Sequence, residues 1–199
     1  MSGWTSGVLE FFEPRAIDPE VAAEAPVREQ GSDLIFTYTA ADGSTFERRR
    51  SLNGTGPAKV LQPKGVKLTP WWPQGRPPET PPAVLVVEGE TDALAALSAL
   101  TKAPSAADLA EAAVAGLPGT GFPAGRLAEE LVQIGSPQTL LALDADEPGR
   151  KFADRLERAL REAGVPALRV ELPEGSDVAD VMAAADEPGE ALATLLADA

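Results

Sequence analysis

Two apolar runs constrain the fold of this chain more than any other feature of its sequence. Ala83–Val87 (AVLVV) and Thr139–Leu143 (TLLAL) lack the alternation of apolar and polar residues seen in half-exposed strands. Such runs are typical of strands that are buried on both faces of a sheet. Each is followed by a helical pattern, at Asp92–Leu100 and Lys151–Ala163 respectively. Repeated strand–helix units of this kind predict a parallel sheet covered by helices.

Two further runs extend this pattern to about four strands. Ala112–Ala115 and Ala167–Leu172 are short and apolar, and helical patterns surround them at Arg126–Ile134 and Val178–Ala185. We therefore predict an α/β fold, with about four parallel strands flanked by helices. Ligands of such sheets bind beyond the carboxyl ends of the strands, so the residues after each run are the candidates for function.

The part of the chain before these units has a different character. Residues 73–82 (PQGRPPETPP) are half proline, which predicts a stiff linker because proline fits neither helices nor central strands. Residues 1–72 contain a predicted β-hairpin and a short helix that Asp18 would cap. We expect a small basic α+β subdomain over 1–72, the linker over 73–82 and a catalytic domain with C-terminal helices over 83–199.

The amino-acid composition excludes several kinds of catalytic and metal-binding site. The chain has no cysteine and no histidine, which excludes thiolate nucleophiles, histidine-based triads and the common zinc sites. Any metal must be held by oxygen ligands, which favours Mg²⁺ or Mn²⁺. No apolar run reaches the ~20 residues of a membrane span, and no secretory signal is present, so we expect a cytoplasmic protein with no membrane contact.

Charge is distributed unevenly. The net charge is −14, and nearly all of it arises after residue 87. By contrast, residues 48–76 hold seven bases and no acid, and the bases are Arg48, Arg49, Arg50, Lys59, Lys64, Lys67 and Arg76. This segment is either a solvated basic face or a strip that follows a phosphate backbone.

Acidic residues stand at the predicted strand ends. Glu88 follows the first strand, Asp144 and Asp146 follow the third, and Asp177 lies beyond the fourth. Taken singly, each could cap a helix or lie in a solvated loop. Together they would repel one another, and a divalent cation would relieve that repulsion. Mg²⁺ bound in this way supports phosphoryl or nucleotidyl transfer, or phosphodiester cleavage.

The sequences around these acids resemble a known family. EGETD at Glu88–Asp92 and LDADEPG at Leu143–Gly149 are similar to the motifs of TOPRIM domains, and the similarity covers roughly residues 83–185. The form of EGETD and the segment LPEGSDVAD (Leu172–Asp180) look most like primases. More loosely, the N-terminal part is similar to the small domain that precedes TOPRIM in phage primase–helicases.

The resemblance implies a function and a set of site residues. It implies the core of a DNA primase, which synthesises short RNA primers on single-stranded DNA from nucleoside triphosphates by Mg²⁺-dependent (or Mn²⁺-dependent) nucleotidyl transfer. The implied catalytic residues are Glu88, Asp144 and Asp146, with Asp92 and Asp177 as further acids near the metals. The implied nucleic-acid or nucleotide contacts are Arg48, Arg49, Arg50, Lys59, Lys64, Lys67, Arg150 and Lys151.

The chain departs from this family in two respects. Without cysteine or histidine it has no zinc-binding module, and it has no P-loop of a fused helicase. We therefore expect either a core excised from a longer protein or a separate protein that works with a replicative helicase or a zinc-binding partner. Its composition suggests a phage or mobile element.

Other functions remain open at this stage. A TOPRIM nuclease, or an accessory protein that binds nucleic acid without polymerising, would use the same acids. Gly119–Ala124 (GTGFPA) fits a dinucleotide-binding loop, although a lone match of this kind is a weak signal. A phosphatase of the Asp-x-Asp type is a further alternative.

Overall fold

Two four-stranded sheets form the framework of the computed structural model, which describes residues 3–53, 60–75, 77, 80–103 and 111–199. The N-terminal sheet is antiparallel and has the order β1-β2-β3-β4. Its strands and the helices before them are α1 (Ser6–Phe12), a 3₁₀ turn (Glu13–Arg15), α2 (Pro19–Glu24), β1 (Val27–Gln30), β2 (Asp33–Thr39), β3 (Thr45–Ser51) and β4 (Val60–Leu61).

The second sheet is parallel and has the order β6-β5-β7-β8. Its elements are β5 (Val84–Val87), α3 (Glu90–Thr101), β6 (Ala113–Gly116), α4 (Ala124–Ile134), β7 (Thr139–Ala142), α5 (Glu147–Glu162), β8 (Ala167–Arg169), α6 (Val178–Ala184) and α7 (Pro188–Ala197). The predicted α/β fold with four parallel strands flanked by helices is therefore confirmed.

Burial of β5 explains its unbroken apolar sequence. Leu85 and Val87 pack into a core with α3, α6, α7 and the N-terminal elements, whereas Val84 and Val86 pack into a second core with α4 and α5. All four side chains are at most 1% exposed. Because successive strand residues point to opposite faces, a strand covered on both sides needs an apolar residue at every position.

The two sheets share one core. Phe36 of β2 and Leu85 of β5 belong to the same cluster of buried side chains. Trp71 joins the sheets directly, since its backbone forms two hydrogen bonds of 2.8 Å with Gly116 and its indole nitrogen donates to the carbonyl oxygen of Thr37. Trp72 packs into the core on the other side. The predicted boundary and linker at 73–82 stay a prediction. The two residues directly before this segment, Trp71 and Trp72, are both packed in the cores.

Local sequence signals account for most elements. The Asp18 carboxylate accepts hydrogen bonds from the backbone of Glu20 and Val21, as predicted for the cap of α2. Helix α1 and strand β1 were not predicted. The buried residues of α1 are Val8, Phe11 and Phe12, a helical spacing that is only one turn long and so gives little signal.

In the described ranges, none of the helices has the length and apolar character needed to span a membrane.

The contact between β6 and α3 allows no side chain at Gly116. A Cβ atom there would lie 2.5 Å from the carbonyl oxygen of Gly89. We predict that Gly116→Ala lowers the free energy of unfolding by about 2 kcal/mol, because the first turn of α3 must move away. Gly125→Ala is the matched control, since nothing lies within 4 Å of a Cβ atom at Gly125. Chemical denaturation of both variants measures the difference, and equal stability would contradict the packing described.

Candidate active site

Two acidic side chains lie next to each other at the carboxyl edge of the parallel sheet. Val87 of β5 is paired with Ala142 of β7, so Glu88 and Asp144 follow one and two residues beyond this pair. Both side chains are partly buried. The adjacency that the sequence predicted from strand ends is thus produced by the register of β5 and β7.

Gly89 turns the chain sharply from β5 into α3. Its φ of 126° lies in a region that L-residues rarely adopt, and a Cβ atom would meet a carboxylate oxygen of Asp92 at 3.2 Å. The turn places Asp92 in the first helical turn, where it is 5% exposed. Glu88 and Asp92 therefore lie at the same edge although they belong to different elements.

The two strand-end acids are held in an unfavourable electrostatic environment. Burial, followed by the charges of Asp144 and Asp146, raises the pKa of Glu88 to about 7. A hydrogen bond with the backbone of Thr120 opposes this shift only in part. Burial, followed by the charges of Asp177 and Asp146, raises the pKa of Asp144 to about 6. These carboxylates behave as one repelling group, and their ionisation near neutral pH is costly.

One oxygen of this group has no hydrogen-bond partner among the residues that the structure describes. Glu88 Oε2 is buried, and it accepts no hydrogen bond from the described part of the chain. A buried carboxylate oxygen without a partner loses its hydration and gains nothing in return. The position suits a cation or a proton.

The other predicted acids are already engaged at helix N-termini. Asp146 Oδ1 accepts from the Gly149 amide at 2.7 Å and caps α5. Asp177 Oδ1 accepts from the Asp180 amide at 2.7 Å and caps α6. Asp92 Oδ1 accepts from the Ala179 amide at 3.2 Å, and burial followed by Asp177 raises the pKa of Asp92 well above its ordinary value.

The assignment of Glu88, Asp144, Asp146, Asp92 and Asp177 to metal binding stays a prediction. In the described part of the chain, no three carboxylates are grouped so that they could hold a metal ion by themselves. The physical reason is that Asp146, Asp177 and Asp92 are oriented by the backbone amides that they accept from. Glu88 and Asp144 remain as the acids whose side chains are not committed to a helix cap.

The three arginines of β3 face different surroundings. Arg48 is 8% exposed and forms a buried ion pair with Glu90, 2.7 Å between Nη1 and Oε1. Arg49 points to the opposite face of the strand and forms an ion pair with Asp33. Arg50 is partly buried, and its side chain forms no ion pair or hydrogen bond with the residues that the structure describes. Of the three, Arg50 is therefore the arginine whose guanidinium is not paired with a carboxylate among the described residues.

We call Glu88, Asp92, Asp144 and Asp177 the acidic edge. Arg50 lies near one part of this edge, Asp92 and Asp177. Burial, with a contribution from Arg15, lowers the pKa of Arg50, and the charges of Glu90, Asp92 and Asp177 oppose that shift. The sequence analysis missed Arg15. Its guanidinium lies 3.9 Å from the ring centroid of Phe11, and that of Arg50 lies 5.6 Å from the same ring. A lone arginine in a proline-interrupted segment gave no signal beyond its charge.

The remaining predicted bases are dispersed. Lys64 and Lys67 are exposed, and Lys59 lies outside the described residues. Arg150 donates to the carbonyl oxygen of Ala145, and Lys151 forms an exposed ion pair with Glu147 in the first turns of α5. Arg150 therefore lies beside the loop that carries the Asp144 and Asp146 carboxylates, whereas Lys151 is one residue further into the helix.

A family model matches the part of the chain that contains the parallel sheet. Residues 85–182 match the family model described as Toprim-like, and this range includes Glu88, Asp144 and Asp177. Residues 85–182 form a Toprim-like domain. No curated protein matches the sequence significantly.

Solved primase structures share the fold beyond the Toprim-like domain. The Aquifex aeolicus primase, with zinc-binding and RNA polymerase domains, is 18% identical with a TM-score of 0.72 over 98% of this chain and 56% of its own. The primase fragment of the bacteriophage T7 primase-helicase is 17% identical with a TM-score of 0.65 over 92% of this chain and 72% of its own. The RNA polymerase domain of the Mycobacterium tuberculosis primase is 19% identical with a TM-score of 0.58, covering 98% and 67%.

These matches establish the fold and its extent. This chain spans just over half of the Aquifex fragment. The alignment nevertheless covers nearly all of this chain, so the N-terminal sheet is part of the shared fold and not an addition to the Toprim-like domain.

The raised pKa values predict a stability that falls with pH. The folded-state pKa values of Glu88 (about 7) and Asp144 (about 6) exceed the ordinary values of 4.5 and 3.8. At pH values between the ordinary pKa of each group and its folded-state pKa, the folded protein binds more protons than the unfolded chain. The free energy of unfolding therefore decreases as pH rises through this range. We predict that Glu88→Gln and Asp144→Asn each stabilise the metal-free protein at pH 8 by about 1 kcal/mol, after allowance for solvent screening.

Denaturation in EDTA at pH 5 and pH 8 measures this effect. Glu147→Gln serves as the control, because Glu147 is an exposed acid one residue from Asp146. The substitution removes its charge and its exposed ion pair with Lys151 but no buried carboxylate. Destabilisation by both Glu88→Gln and Asp144→Asn at pH 8 would show that these carboxylates do not repel one another.

Proposed function

We propose that this chain is a primase-like nucleotidyltransferase core that synthesises short RNA primers on single-stranded DNA. One observation carries the proposal. Glu88 and Asp144 are uncommitted acids with raised pKa values, and Arg50, which forms no ion pair in the described structure, lies near the neighbouring acids Asp92 and Asp177. The primase fold over nearly the whole chain supports it.

The acidic edge suits Mg²⁺ or Mn²⁺. Magnesium is usually held by one or two carboxylates together with substrate phosphates, so a complete protein cage is not required. Glu88, with its unpartnered Oε2, and Asp144 would hold the ion, and the second oxygen of Asp146 is a further candidate. When bound, the ion supplies positive charge to the phosphates at the reacting centre.

As an alternative to holding the ion, Glu88 would serve as the general base, with the pKa that it has when no cation is bound to it. A carboxyl group with a pKa of about 7 is close to the pH at which a general base works best. In primer extension, the 3′-hydroxyl oxygen of the growing strand forms a bond with the α-phosphorus of the incoming triphosphate. The bond to pyrophosphate breaks, and the hydroxyl proton passes to the Glu88 carboxylate.

Arg50 and Arg15 would bind phosphates. Neither guanidinium forms an ion pair with a described residue, so both are available to the negative charge of a triphosphate or a template strand. Exposed Lys64 and Lys67 would add to the charge on the N-terminal side, and Arg150 on the side of α5. In this arrangement the acidic sheet edge would bind the metal ion, and these bases would bind the phosphates.

Partners follow from what the chain lacks. It contains no cysteine or histidine, so a zinc-binding module that selects a start site would be supplied by another protein or another segment. The T7 structure belongs to a primase-helicase, and a replicative helicase is the corresponding candidate partner here. A longer template-binding surface in such an assembly would compensate for the few bases of this chain.

A primer-synthesis assay tests the proposal. The protein is incubated with single-stranded DNA of mixed sequence, labelled ribonucleotides, and Mg²⁺ or Mn²⁺. We expect short labelled oligomers that Asp144→Asn reduces at least 100-fold, while Glu147→Gln leaves the yield unchanged. Asp144→Asn is preferred to changes at Asp146, whose carboxylate caps α5.

Two outcomes would contradict primer synthesis. Cleavage of the template that depends on Asp144 would indicate a nuclease instead. Absence of both products, even with an added primer annealed to the template, would indicate a protein that binds nucleic acid without polymerising it.

Arg50 and Arg49 offer a matched pair for binding. They are neighbours on β3 and have equal charge, but Arg49 is exposed and paired with Asp33, whereas Arg50 is partly buried near Asp92 and Asp177. We predict that Arg50→Ala weakens binding of single-stranded DNA or nucleotide about tenfold and reduces the salt dependence by about one ion, and that Arg49→Ala changes binding by less than about twofold. Fluorescence anisotropy over a salt series makes the measurement, and equal effects would overturn the assignment.

A further inference from the structure

Three polar side chains form a closed network between the two sheets. Tyr38 of β2 donates its hydroxyl hydrogen to Glu90 Oε1 at 2.6 Å, and Arg48 Nη1 donates to the same oxygen at 2.7 Å and to the Tyr38 hydroxyl at 2.9 Å. All three residues are less than 9% exposed. The ring of Phe46 stacks on Tyr38 at 4.7 Å between centroids. We call Tyr38, Arg48 and Glu90 the buried triad.

The surroundings of the triad favour a charged Arg48 guanidinium and a protonated Tyr38 hydroxyl group. Burial opposes the charge of Arg48, but Glu90 and Tyr38 outweigh it and raise the pKa of the guanidinium. Burial, followed by the charge of Glu90, raises the pKa of Tyr38 well above its ordinary value, so the phenol remains a hydrogen-bond donor. A buried charge that loses its partner is strongly disfavoured, and the two sheets are therefore held in one relative position at this contact.

The triad lies between the elements that carry the candidate site. Glu90 is the first residue of α3, two residues after Glu88 and two before Asp92. Arg48 lies two residues before Arg50 on β3, and alternate strand residues point to the same face. The triad thus fixes the strand that carries Arg50 against the turn that carries Glu88.

A second polar contact joins the same regions far from the site. Lys102, just after α3, forms an ion pair with Asp18, and the Asp18 amide donates to the Ser98 hydroxyl. Helix α3 has 12 residues, so this contact is about 18 Å from the triad along the helix axis. The Lys102–Asp18 pair therefore offers a contact between the same two regions that does not include the acidic edge.

We propose that Tyr38, Arg48 and Glu90 are positioning residues that hold Arg50 beside Asp92 and Asp177 and so set the affinity for nucleotide or template phosphate. This inference rests on the proposed function, because it assigns Arg50 to phosphate binding. It also removes Arg48 from the predicted nucleic-acid contacts, since the charge of Arg48 is neutralised inside the protein. The chemical step itself does not involve the triad.

A double-variant cycle with Arg50 tests the positioning role. Wild-type protein, Glu90→Gln, Arg50→Ala and the double variant are compared by anisotropy with labelled single-stranded DNA and by equilibrium binding of ATP. We expect Glu90→Gln to weaken binding about tenfold in the wild-type background and less than twofold when Arg50 is already alanine. Tyr38→Phe and Arg48→Lys keep part of the network, and we expect intermediate losses that also disappear in the Arg50→Ala background.

Lys102→Ala separates positioning from a general loss of stability. Unfolding is measured for every variant, and Lys102→Ala is expected to lower stability without changing affinity, because it loosens the same two regions away from Arg50. If the Glu90→Gln variant does not fold, Tyr38→Phe replaces it in the cycle with Arg50→Ala, because Tyr38→Phe removes only one hydroxyl group. Equal losses of affinity in Lys102→Ala and the triad variants, or additive effects of Glu90→Gln and Arg50→Ala, would overturn the proposal.

The outcomes also distinguish this proposal from the proposed function. Normal binding by the wild type without primer synthesis would reject the polymerase activity, and the cycle would still decide the role of the triad. Absence of nucleotide and nucleic-acid binding by the wild type would reject both. Primer synthesis with a changed KM for nucleotide and an unchanged kcat in Tyr38→Phe is the result expected when both hold.

Discussion

The parallel pairing of β5 with β7 is the constraint on which the candidate site depends. It sets Glu88 beside Asp144 at one edge of the sheet, where the carboxylates are partly buried and repel each other. This arrangement costs folding free energy, and nothing in the core requires it. Unfavourable electrostatics concentrated at a sheet edge is characteristic of functional sites, where ligand binding relieves the strain that the protein carries without it.

The N-terminal sheet complements this edge. Its strand β3 uses its three consecutive arginines in three ways: Arg48 anchors the strand to α3, Arg49 pairs on the outer face, and Arg50 lies near two acids of the acidic edge. A basic cluster in the sequence therefore does not amount to a basic surface. The alternation of side chains along the strand, together with the position of Glu90, decides which charge is available to a ligand.

The sequence predicts the framework well and the details of the site less well. Unbroken apolar runs such as Ala83–Val87 predict buried parallel strands because both faces must be covered, and the acids after them follow from the chemistry of strand ends. The spatial order β6-β5-β7-β8 is not encoded locally. The helix-capping role of Asp146 and Asp177 is local, since each accepts from the amide three residues on, but the sequence left it open beside a role in metal binding. The pairing of Arg48 with Glu90 spans 42 residues of sequence, so only the folded chain reveals it.

Direct measurement of Mn²⁺ binding tests the central claim, that Glu88 and Asp144 form one divalent-cation site. Electron paramagnetic resonance at pH 7.5 counts free and bound Mn²⁺ for the wild type, Glu88→Gln, Asp144→Asn and the control Glu147→Gln. The account predicts saturable binding by the wild type and the control, weakened at least about tenfold by either substitution at the site. Absence of binding by the wild type, or equal binding by all four proteins, would contradict it.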